Sequence, residues 1–80
     1  MVYVVEKDER GQPEALYRFS LAEATAEYLT TDGLWVSDAG LWSILDDLHN
    51  PFYEEIAATQ AQQLAANLTV ETATPQPVAA

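Results

Sequence analysis

The sequence predicts an α+β fold: a small N-terminal β-hairpin packed on about three short helices, with a disordered C-terminal tail. Three observations carry this. Two runs rich in β-branched and aromatic residues open the chain, separated by the polar stretch KDERGQPE. Three helix-start signals follow, each leading into apolar residues at helical spacing. The last stretch, TVETATPQPVAA, contains two prolines and no aromatic residue. Residues 1–68 are therefore expected to form one small α+β domain and 69–80 the tail. At 80 residues and 8.8 kDa the core is marginal, since a chain of this size buries only about 60% of the surface it exposes when unfolded. With no cysteine, neither a disulfide nor a zinc cluster staples it.

The elements follow in order. Val2 to Glu6 and Ala15 to Phe19 read as the two hairpin strands, with Gly11 and Pro13 in the loop. VYVV is apolar on both faces, so one face packs on helices and the other needs a different cover. Ser20 with Glu23 is a capping-box pattern and predicts a first helix to about Thr30, with Leu21, Ala24, Thr25 and Tyr28 on one face. Asp32-Gly33 stops it, and Leu34 to Val36 read as a short extended stretch. Ser37 or Asp38 caps a second helix to about Leu48, burying Leu41, Ile44, Leu45 and Leu48. Asn50-Pro51 starts a third, running to about Leu68, with Tyr53, Ile56, Ala57, Ala61, Leu64 and Leu68 as its buried stripe.

Charge narrows the function. The net charge is −10, and Lys7, Arg10 and Arg18 are the only cations. Residues 1–19 hold four acids and three bases, for −1; from Ser20 onward nine acids and no base give −9. Nucleic acid and anionic membranes are thus poor ligands, and a basic protein surface is a good one. The N-terminus has no basic region and only a four-residue apolar run, too short for a signal peptide or a membrane span. A soluble cytoplasmic protein is expected.

Chemistry is sparse. His49, the only histidine, lies beside Asp46 and Asp47, but this set fits no tight zinc spacing, and a histidine at a helix C-terminus is explained by the macrodipole. The pairs Asp46-Asp47 and Glu54-Glu55 diverge by about 100° on a helix and do not converge on one substrate atom. With no cysteine nucleophile and no Gly-rich phosphate loop, no catalytic residue, metal or cofactor is expected, and the protein is read as a non-enzyme.

The acids divide by whether a helix explains them. Glu23, Asp38, Glu54 and Glu55 fall at predicted helix N-termini, where negative charge is favourable. Glu27, Asp46 and Asp47 fall in predicted last turns, where it is not. Trp42 lies on the flank of the second helix near Asp38 and Asp46, and Trp35 precedes that helix. Both tryptophans suit the wrapping of a small core. Trp42 beside uncompensated aspartates also has the composition of an interface anchor.

SLAEATAEYL followed by VSDAGLWSIL resembles the helix-turn-helix of excisionase-like and MerR-like proteins. It departs from that pattern in the long link from Leu29 to Ser37 and in a would-be recognition helix with three aspartates and no Arg or Lys. Recognition helices need cations and base-edge donors, so the resemblance points away from DNA binding.

The expected function is a small acidic protein-binding module that occupies a basic surface of another protein. In its strongest form it is a phage or mobile-element inhibitor, a nucleic-acid mimic with carboxylates standing for phosphates. The expected partner-binding residues are Trp42, Asp46, Asp47, Glu27, Asp32 and Trp35. The alternative is a structural subunit or homo-oligomer, with VYVV pairing edge to edge with another copy.

Overall fold

A computed structural model describes residues 1–73 of the chain, with side chains described through residue 68. The tail expected at 69–80 lies outside the described residues from 74 onward; before that, 69–73 continue a helix. The α+β class is as expected, but the sheet is larger and the helices fewer. β1 (Val2–Lys7), β2 (Pro13–Ser20), β3 (Thr25–Leu29), β4 (Trp35–Ser37) and β5 (Tyr53–Ile56) form one antiparallel sheet in the order β4-β3-β2-β1-β5. A 3₁₀ turn (Ala39–Leu41) leads into α1 (Trp42–Leu45), and α2 (Ala58–Ala73) follows β5.

The N-terminal hairpin forms where the sequence places it, with Val2 opposite Phe19 and Val5 opposite Leu16. The expected first helix does not form. Ser20 Oγ accepts a hydrogen bond from the Glu23 N–H at 3.2 Å, the bond of an N-cap, but one that a tight turn uses equally well. Ala24 then takes a left-handed φ of 54°, and residues 25–29 leave the turn as β3. Strand alternation puts Ala26 against Phe19, both buried, and leaves Leu21, expected in a core, exposed. Tertiary pairing overrides the helix propensity of this Ala- and Glu-rich stretch. It also removes the helix that carried the helix-turn-helix resemblance.

Asp38 caps the start of the second helical segment, as expected, but the segment opens as the 3₁₀ turn: the Asp38 side chain accepts from the Gly40 N–H at 2.9 Å, and α1 behind it has no side-chain cap of its own. It is shorter, ending at Leu45, after which Asp46 to His49 form turns. The third starts later. Asn50 Oδ1 accepts from the Phe52 N–H at 2.9 Å, and the Tyr53 N–H bonds the Asn50 carbonyl at 3.0 Å. Asn50-Pro51 thus makes a turn into β5 in place of a helix start. α2 begins at Ala58, where Gln60 Oε1 accepts from the Ala57 N–H and the Ala61 N–H bonds the Ala57 carbonyl. That is half of a capping box, without a Ser or Thr to announce it.

Both faces of the sheet are covered. On one, Val4, Phe19, Ala26 and Ile44 are buried, with Leu41, Trp42, Leu45, Leu48 and Tyr53 packed against them. On the other, Val5, Leu16 and Ala61 are buried beneath Ile56, Leu64 and Leu68. This explains VYVV: the 3₁₀–α1 segment covers Val4 and α2 covers Val5. β1 is flanked by β2 and β5, so VYVV cannot pair edge to edge with another copy. The open edges are β4 and β5.

Candidate partner-binding surface

The strand ends at the β1–β2 loop bring acids and aromatic rings together. Tyr17 and Glu6 point from neighbouring strands to the same face, and the Tyr17 hydroxyl donates to Glu6 Oε1 at 2.5 Å. Burial first, then the Glu6 hydrogen bond and charge, with Tyr53 and Glu14 adding, hold the Tyr17 hydroxyl well above the usual phenol range. Tyr53 is pushed up too, by burial and then by Glu6 and Asp47. Glu6 thus stands between the two phenols, bonded to Tyr17 and opposite Tyr53 across β1 and β5. The adjoining loop is braced from within: Asp8 Oδ1 accepts from the N–H groups of Arg10 and Gln12 at 2.9 and 3.0 Å, and Gly11 supplies a φ of 80°.

These parts enclose an open cleft of about 550 Å³, lined by Glu6, Asp8, Glu9 and Glu14, by Lys7 and Arg10, and by Asn50, Phe52 and Tyr53. Phe52 is 44% exposed. A carboxylate rim around aromatic rings suits a Lys or Arg side chain, which gains ion pairing at its head and packing along its stem. The sequence singled out only Asp47 of this neighbourhood. A strand reading of FYEEI, with Tyr53 and Glu55 on one side, was the available signal.

The residues expected to bind a partner do not form one surface. Trp42 packs on the core, its ring centroid 5.5 Å from that of Phe19. Trp35 lies on the opposite sheet face, with Arg18 Cζ 4.2 Å from its ring centroid. Glu27 pairs with Arg18 across β2 and β3, Oε1 to Nε 2.5 Å. Its charge is therefore compensated, by a base from outside the cation-free stretch that begins at Ser20. Lys7 likewise pairs with Glu54 at 2.9 Å, so two of the N-terminal cations neutralise acids of the cation-free stretch. Asp47 accepts from Asn50 Nδ2 at 3.1 Å and lies 3.5 Å from His49 Nε2. Asp32 is exposed in the β3–β4 turn, and Asp46 is exposed just after α1.

Among the described side chains, the carboxylates of Glu9, Glu14, Glu23, Asp32, Asp46 and Glu55 make no hydrogen bond or ion pair. Glu9 and Glu14 stand at the cleft. Among the described residues no group of three His, Asp or Glu could hold a metal ion, and no helix is long and apolar enough to cross a membrane. Fold and surface together define a small antiparallel-sheet α+β domain with an acidic, aromatic-lined cleft. Comparison with protein-family models, curated proteins and solved structures finds no match.

Proposed function

We propose that the protein is a non-catalytic binding module that occupies a basic surface of another protein through the acidic cleft at the β1–β2 end of the sheet. In its sharper form it is an inhibitor that takes the place of nucleic acid on that surface. The supporting observation is a cleft lined by Glu6, Asp8, Glu9 and Glu14 beside Phe52 and Tyr53, four acids against the two bases Lys7 and Arg10. Glu9 and Glu14 have no partner within the described fold, so a cation from outside can pair with them without breaking an internal bond. Trp42, Asp46 and Asp32 lie elsewhere and are outside this surface.

The test is capture from the native host's lysate with wild-type protein and with a Glu9→Gln/Glu14→Gln double variant, washed in parallel at low and high salt. The expected result is a basic nucleic-acid-handling protein that is held at low salt, released at high salt and poorly held by the variant. Exposed charges more than about 10 Å apart are screened at about 0.1 M salt, so a partner that survives both washes and ignores the variant overturns the reading.

A further inference from the structure

The two open edges of the sheet differ. On β4, the Thr30 N–H bonds the Leu34 carbonyl at 2.7 Å and the Asp38 N–H bonds the Ala26 carbonyl at 2.9 Å, which sets the phase of the β3–β4 ladder. In an antiparallel pair, residues addressing one neighbour alternate with residues turned away from it. Leu34, Val36 and Asp38 therefore address β3, and the N–H and C=O groups of Trp35 and Ser37 point out from the sheet. The side chains of the strand itself, Trp35, Val36 and Ser37, are uncharged, and Leu34 is 62% and Val36 36% exposed. Apart from its shortness, β4 has none of the lysines, prolines or bulges that block edge pairing.

β5 is protected. The Lys7 N–H bonds the Phe52 carbonyl at 2.7 Å, so Tyr53 and Glu55 face outward. The Tyr53 N–H is already bonded to Asn50, and Pro51 has no N–H. A symmetric pairing centred on Glu54 or Glu55 sets identical glutamates opposite one another, which is unfavourable.

We propose that β4 pairs antiparallel with β4 of a second copy of this chain, about a two-fold axis through Val36, joining the two sheets into one. In this register Trp35 lies opposite Ser37 of the second copy and Ser37 opposite its Trp35. All four residues face outward, so each pair exchanges both of its N–H···O=C bonds. The two Val36 side chains meet at the axis, on the non-hydrogen-bonded pair where side chains approach closest. Leu34 falls opposite Asp38, whose carboxylate is already held by the Gly40 N–H, so no acid faces an acid. The contact is isologous, as a two-fold dimer requires.

A strand of three residues buries well below the roughly 1,200 Å² of a stable interface, so the association is weak and concentration-dependent. Two chains of net charge −10 repel, and added salt strengthens their pairing. Salt weakens the capture of a basic partner at the cleft, so the two readings stand or fall separately.

Sedimentation velocity across the micromolar to millimolar range, at low and high salt, tests the proposal on wild type, on Val36→Lys, and on Leu21→Lys as an exposed control in the β2–β3 turn. Circular dichroism checks that both variants fold. Wild type and Leu21→Lys are expected to sediment faster as concentration and salt rise, while Val36→Lys stays monomeric throughout. A wild type that stays monomeric, or self-association that persists in Val36→Lys, overturns the proposal. Amide exchange in wild type gives a second readout that needs no variant. Protection of the Trp35 and Ser37 amides that rises with concentration supports the pairing, and exchange that ignores concentration refutes it.

Discussion

Arg18 joins three parts of the sheet: it stacks on Trp35 of β4, pairs with Glu27 of β3 and stands on β2. Both contacts are partly exposed, and pairs of that kind contribute about 0.5–1 kcal/mol each. Arg18→Ala is therefore expected to destabilise the protein by about 1–2 kcal/mol, and Arg18→Lys by somewhat less, since an ammonium keeps the charge but not the planar stacking. Urea unfolding of the two variants and of Glu27→Gln measures this, and a double-mutant cycle isolates the ion pair. Tyr17 predicts a pH effect. Its folded pKa is raised above the ordinary phenol value of about 10, so the folded state binds that proton more tightly than the unfolded state. The stability it contributes is fully present below pH 10 and is lost as pH rises through the folded value. The urea midpoint should fall as pH is raised above about 10, and fall less in Tyr17→Phe; equal slopes would show that Tyr17 is not the group responsible.

Among the elements, the β2–β3 connection shows how one sequence signal serves two structures. The Ser20 hydroxyl bonds the Glu23 N–H whether a helix or a turn follows, so the capping pattern alone cannot choose between them. Ala24, at φ 54°, closes the turn in a conformation that costs an L-residue about 1 kcal/mol and glycine almost nothing. Ala24→Gly is expected to raise stability by about 0.5–1 kcal/mol in a thermal melt. In a helix interior the same change would lower stability by a similar amount, so the sign of the shift reports the local structure directly. Asn50 repeats the ambiguity: its side chain caps a turn where the pattern suggested a helix. The candidate cleft was illegible for this reason. The helix pattern sets Glu54 and Glu55 at an N-terminus, and only the strand places Tyr53 beside Glu6.

Over the whole molecule, a sheet covered on both faces is how a chain this small encloses a core without a disulfide. The 3₁₀–α1 segment and α2 bury opposite sides of β1. Leu16→Ala, at a site 1% exposed, removes contacts from the α2 side and is expected to cost about 2–5 kcal/mol, a large part of the stability of a marginal domain. With a net charge of −10 and, among the described residues, two ion pairs between Lys or Arg and glutamate, self-repulsion outweighs attraction, and the melting temperature is expected to rise as salt screens it. A melting temperature that falls with added salt would show instead that the Lys7 and Arg18 pairs dominate. The α+β class, the N-terminal hairpin, the Asp38 cap and the core places of Ile44 and Ala61, with Leu41, Leu45, Leu48, Ile56, Leu64 and Leu68 packed around the core, are legible in the sequence, because they follow from local composition and short-range hydrogen bonding. So is the acidity. That residues 25–29 and 53–56 are strands, that the two tryptophans lie on opposite faces, and that Glu27 and Glu54 meet Arg18 and Lys7 follows from the assembled sheet alone. Those outcomes depend on cross-strand partners distant in sequence, and strand propensity is set by such neighbours more than by the residues of the strand itself.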